Sequence, residues 1–206
     1  MLRSQVGELF YITHVTNVTG ILRSGILSHN LAQRVTHAKV DLQAVQDIRA
    51  RVPVSRTRML HDHANLYVCG RNAMMYYVQG HNPINEICLL RVSPDVLDLD
   101  EVVVTDGNAA RQPGTRFDDV ATGIAALDFD RVHAEWWTKH PTEAENYEHK
   151  RVKQAEVLVP DLVHPDLIVG AYAPTQTAAA AVDAASGGAL AVVVTRFTFF
   201  RGARGT

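Results

Sequence analysis

The chain has 206 residues, 47% hydrophobic and 20% charged, the make-up of an ordinary globular protein. It has only two cysteines, Cys69 and Cys88, its opening residues show no charged-then-apolar leader, and its longest non-aromatic apolar run covers only 189–194. These features exclude a disulfide scaffold, a membrane-spanning protein and a disordered chain, and lead us to expect a cytoplasmic protein in a reducing compartment. Twenty basic against 22 acidic residues give a net charge of −2, so any grip on nucleic acid must be local and short rather than a long phosphate-neutralising track. No break in composition divides the sequence, and a single domain over 1–206 is expected.

The first predicted strand covers 8–14, where Leu9, Phe10, Tyr11 and Ile12 form a β-prone run. A helix over 17–24 follows, with Thr16 as N-cap, Val18, Ile21 and Leu22 at helical spacing and Gly25 past its end. Gly20 inside it costs about 1 kcal/mol relative to alanine, which predicts a neighbour that needs the missing side chain. Residues 28–59 form a long polar stretch with arginines at 34, 49, 51, 56 and 58, holding a helix near 41–49; long loops in compact domains tend to be functional. Further strands are predicted over 65–69, 87–92, 102–105, 156–159, 167–172 and 189–199. Helices are predicted over 72–77 (capped by Asn72, ended by Gly80), 134–140, 143–151 and 177–185, the last stopped by Gly187-Gly188. Without a regular βαβ rhythm, this pattern is α+β with a mostly antiparallel or split sheet.

Several familiar signatures are missing. There is no glycine-rich dinucleotide fingerprint and no P-loop. His61-Asp62-His63 supplies alternate residues but no third metal ligand, so a solvated loop is expected. Cys69 and Cys88 lack a C-x-x-C spacing and fit buried small hydrophobes. Trp136-Trp137 is read as core packing ahead of a base-stacking platform, and Lys150, Arg151 and Lys153 as a solvated helix face. No metal site is expected.

Three separated pieces carry more. The first is Tyr11-Ile12-Thr13-His14 followed by Thr16-Asn17-Val18-Thr19-Gly20-Ile21-Leu22-Arg23-Ser24-Gly25-Ile26-Leu27. The second is Arg51-Val52-Pro53-Val54 with Leu60-His61-Asp62, Leu66-Tyr67-Val68 and Asn72-Ala73-Met74; the third is Lys153-Gln154-Ala155-Glu156-Val157-Leu158-Val159-Pro160. In this order they resemble the DarT family of bacterial toxins, which ADP-ribosylate bases in single-stranded DNA. The sequence departs from the family where Asn65-Leu66-Tyr67-Val68 replaces an aromatic P-F-Y-F run, and where Tyr11 stands at a usual histidine.

The resemblance implies an ADP-ribosyltransferase-like split sheet and NAD as co-substrate. It makes Glu156 the catalytic acid, and the chemistry agrees: breaking the nicotinamide–ribose bond develops positive charge that a nearby carboxylate stabilises. Arg51 is the implied arginine of the mobile segment, polarising the target base or clamping the pyrophosphate, with Arg49 as the alternative occupant. Tyr11, Ile12, Thr13, His14, Gly20, Ser28, Tyr67 and Met74 complete the implied cofactor contacts. The expected acceptor is thymine in single-stranded DNA, with guanine, RNA or protein as alternatives within the same chemistry and an idle NAD- or nucleic-acid-binding module as the alternative outside it. A macrodomain antitoxin on a separate chain is the implied partner.

Overall fold

In a computed structural model of the chain, residues 1–40 and 42–200 are described; Asp41, the expected first residue of the helix near 41–49, lies outside them. β1 (Leu9–His14) leads through a 3-10 turn into α1 (Val18–Ser24) and β2 (Ile26–Leu27). At the end of α1, Gly25 adopts φ 86°, and a Cβ there would collide with the Val163 carbonyl, so only glycine fits. α2 (His29–Ala32) and α3 (Gln43–Arg49) punctuate the polar stretch before β3 (His63–Tyr67) and α4 (Ala73–His81). β4 (Ile87–Val92), β5 (Val103–Thr105) and β6 (Phe117–Asp119) precede α5 (Val120–Ala126), α6 (Phe129–His133) and α7 (Glu143–Val152). β7 (Glu156–Pro160), β8 (Leu162–Val163), β9 (Ile168–Ala173), α8 (Gln176–Ser186) and β10 (Val192–Val194) follow.

Eight strands form one sheet in the order β10-β9-β4-β1-β3-β7-β5-β6, antiparallel throughout except for β9 with β10. Buried side chains cover both of its faces. Leu9, Leu66, Leu90 and Val157 pack with Val18 of α1 and Val182 of α8; Ile12 and Leu89 pack with Met75 and Val78 of α4, Trp137, Phe199 and Phe200. Each fully buried aliphatic side chain contributes about 1.5–3 kcal/mol, and the central sheet positions Ile87 to Leu90 of β4 and Val157 to Val159 of β7 are accordingly apolar and buried on both faces rather than alternating.

The join between the halves of the sheet is thin. β1 matches β4 over six register pairs and β3 matches β7 over five, whereas β1 and β3 share one, Phe10 opposite Tyr67. Beyond that pair the strands diverge, and the backbone groups of β1 that do not bond β4 face an opening. This is the expected split.

The structure corrects several local expectations. The His14 ring, not Thr16, caps the turn before α1. Gly80 lies inside α4 rather than ending it. Residues 134–140 are not helical because Trp136 and Trp137 turn inward onto Phe200; the helix lies earlier, where Asp128 caps α6. Of the strand expected at 189–199 only β10 forms, since the following segment folds across the sheet, tied by Arg71 to the Phe197 and Phe199 carbonyls. The 61–63 triplet is no solvated loop: it closes a 3-10 turn and opens β3, with His63 buried. Lys153 is fully buried rather than solvated, its ammonium donating to the Val132 carbonyl at 2.9 Å and facing Cys69 Sγ at 3.4 Å.

Candidate active site

The split opens into a cleft of about 470 Å³, within the range of small-molecule sites. One wall is β1, with Tyr11, Ile12 and Thr13; the other is β3, with His63, Asn65 and Tyr67. A strap over 35–40 also lines it. Asn17 fastens it, its amide donating to the Ala38 carbonyl and accepting from the Ala38 N–H, both at 2.8 Å, while also reaching the Thr13 hydroxyl at 3.2 Å.

Glu156 is the first residue of β7, directly opposite Tyr67, and is 1% exposed. A buried carboxylate is tolerable only when its lone pairs are satisfied, and here four donors meet it. Arg49, the last residue of α3, gives Nη2 to Oε2 at 2.8 Å and Nη1 to Oε1 at 3.3 Å. Asn65 Nδ2 adds a bond to Oε2 at 2.8 Å, and the Ala109 N–H one to Oε1 at 2.9 Å. The Glu156 N–H donates to the Thr105 hydroxyl at 3.0 Å, anchoring the strand start. Burial would draw the Arg49 proton off, but the Glu156 charge and the paired hydrogen bonds outweigh it and raise its pKa. Burial also pushes the Tyr67 phenol up, and the Glu156 charge adds to the effect. Tyr67 is therefore a neutral hydrogen-bonding group at physiological pH.

Tyr11, Ile12, Thr13, Gly20, Tyr67 and Met74 all line the cleft. Gly20 faces it with nothing within 4 Å of where a Cβ would stand, so no protein neighbour demands the glycine. His14 and Ser28 stand outside the lining. His14 caps its turn and pairs with Glu86 at 3.2 Å; Ser28, buried, accepts from the Leu31 N–H at the start of α2. Arg51 is exposed in the turn after α3, without a side-chain partner among the described residues. Arg51 lies beyond the C-cap Ala50, outside α3, and the guanidinium bonded to the Glu156 carboxylate is that of Arg49. Arg49, the alternative occupant, is the arginine at Glu156.

Sequence reasoning missed Asn65 and Ala109 as site residues, and also Arg23 and Lys39 at the rim. None of the described lining residues is acidic, while Arg23 and Lys39 are cationic, Arg49 is cationic but paired with Glu156 behind the lining, and four histidines join them. An overall charge of −2 thus conceals a local basic cleft suited to a dianionic pyrophosphate. Among the described residues, no group of three metal-ligating side chains is arranged to hold a metal ion, and no helix is long and apolar enough to cross a membrane.

Strand order and split define a fold of the ADP-ribosyltransferase type. The structure aligns with that of Thermosipho africanus DarTG in complex with ADP-ribose at a TM-score of 0.84 and 28% identity, over 94% of this chain and 51% of that one. The family model described as DarT, ssDNA thymidine ADP-ribosyltransferase, matches residues 10–200, and the chain belongs to that family. It is 33% identical over 175 residues to a DNA ADP-ribosyl transferase–DNA ADP-ribosyl glycohydrolase fusion protein of Thermosipho africanus, covering 80% of this chain and 42% of the relative. It is also 30% identical to a DNA ADP-ribosyl transferase of a Thermus species, covering 73% of each. The chain therefore spans less than half the length of the fusion relative.

Proposed function

We propose that the chain transfers ADP-ribose from NAD to thymine in single-stranded DNA. The observation that carries this is the buried Glu156 carboxylate, fixed by four donors, of which the Arg49 and Asn65 side chains themselves line a cleft whose described lining holds cations and no acid. In the reaction the bond between nicotinamide and ribose breaks, a bond forms from that ribose carbon to a thymine ring nitrogen, and the nitrogen's proton is released. Glu156 stabilises the positive charge that develops on the ribose side. Arg49 takes the role the motif gave to Arg51: on leaving Glu156, its guanidinium hydrogen-bonds the target base and favours loss of the ring proton. Tyr67 and Met74 flank the nicotinamide end, β1 offers backbone groups between Tyr11 and Thr13, Gly20 admits close approach, and Arg23 and Lys39 face the pyrophosphate. Membership of a family described by its thymidine acceptor favours thymine over guanine, RNA or protein.

The fusion of transferase and glycohydrolase in the Thermosipho relative supports a toxin paired with a partner that removes the mark, a macrodomain antitoxin in the cytoplasm. The test is mass spectrometry of oligonucleotides incubated with NAD and protein. An adduct on thymine-containing single strands, absent from thymine-free ones, is expected; NAD binding without any adduct would favour an idle binding module.

A further inference from the structure

We propose that Asn65 is a positioning residue, holding Glu156 in its reactive orientation while Arg49 is disengaged. The inference rests on Glu156 being the acid of the transfer reaction. With Arg49 in place both carboxylate oxygens carry two donors each, leaving little capacity for a ribose hydroxyl, so Arg49 has to release for substrate to be met. One donor per oxygen then remains, Asn65 on Oε2 and the Ala109 N–H on Oε1. They come from different elements, β3 and the segment after β5, and two bonds to two oxygens fix the carboxylate in rotation as well as position.

The register makes this possible: Tyr67 stands opposite Glu156 and Asn65 opposite Leu158, so Asn65 is Glu156's diagonal neighbour on the same face. Facing an anion, the side chain must present its NH₂, which leaves Oδ1 without a protein partner among the described residues. The charged and titratable groups around the carboxylate are Arg49 from α3 and Tyr67 from β3, while Thr105 and Ala109 contribute only neutral groups.

The test compares Asn65→Ala and Asn65→Asp, with Asn65→Ser in reserve should the alanine variant fail to fold, on transfer to a thymine-containing oligonucleotide and on NAD hydrolysis. Losing a hydrogen bond to a charged group corresponds to a kcat about ten- to a hundredfold lower, with the KM for NAD little changed. Asn65→Asp places a second carboxylate against the first, so the acid limb of its pH–kcat profile moves to higher pH. A purely structural role would leave the kcat of folded Asn65→Ala unchanged. A folded Asn65→Ala with wild-type kcat, or an Asn65→Asp profile that stays in place, overturns the proposal. Glu156→Gln run alongside separates the two levels: if it keeps wild-type rates, or if the wild-type protein neither transfers nor hydrolyses, the role of Glu156 itself fails and that of Asn65 with it.

Discussion

Two arginines two positions apart have opposite fates, and the difference is measurable. Removing one partner of a buried pair strands the other, at a cost of about 3–5 kcal/mol. Arg49→Ala should lose stability on that scale, because Glu156 keeps only its two neutral donors. Its transfer rate should fall about a hundred- to a thousandfold, the range for losing one preorganised donor. Arg51→Ala, at an exposed turn position, should stay within about 0.5 kcal/mol of wild type and keep its activity; urea unfolding and single-turnover transfer decide both. Loss of activity in Arg51→Ala with Arg49→Ala active would reverse the assignment. Two buried histidines set an acid limit. Burial lowers the pKa of His63 and of His149, so below the unfolded value of about 6.5 the unfolded chain takes up more protons than the folded one. The stability these neutral rings give is complete above that pH and is lost as pH falls through their depressed folded values. Unfolding free energy should thus decline between about pH 6.5 and 5, less steeply in His149→Gln; a flat profile would contradict it.

Within single elements, α1 shows how a local cost marks a function. Gly20 weakens a seven-residue helix by about 1 kcal/mol, yet no protein atom occupies the space beside it. Gly20→Ala should therefore raise the melting temperature while raising the KM for NAD, and Gly20→Val should bind NAD more weakly still. Tighter NAD binding in either variant would remove Gly20 from the cofactor wall. The same scale shows what was legible. β1, β4, β7, α7 and α8 were readable because their signals are local: apolar runs, the break at Pro141 before α7 and a Gly187 stop after α8. α5 and α6 also begin on local caps, Asp119 and Asp128, but at seven and five residues they are too short to carry a helical apolar pattern. Residues 134–140 and 195–200 were not readable, because aromatic packing around Arg71 and hydrogen bonds to Gln79 decide their course, and those partners lie far away in sequence.

Across the whole molecule, the site exists only because two halves of a sheet meet at one residue pair. Glu156 could be named from its motif and Arg49 only as the alternative to Arg51; its other donors Asn65 and Ala109 could not, since they depend on the β3–β7 register and on the course of the segment after β5. Charge is likewise distributed at this scale, with an acidic balance overall and cations gathered at the cleft. Such a surface should contact few phosphates, so the affinity for a short thymine-containing strand should fall only shallowly with salt. Duplex of the same sequence should be a poor acceptor, since its base must first be extruded; equal rates on both would contradict a cleft that takes one unpaired base. The most direct test is single-turnover transfer by Glu156→Gln, which keeps the shape of the side chain and removes its charge. The account expects a folded, NAD-binding protein that no longer modifies thymine; an adduct formed at the wild-type rate would contradict it.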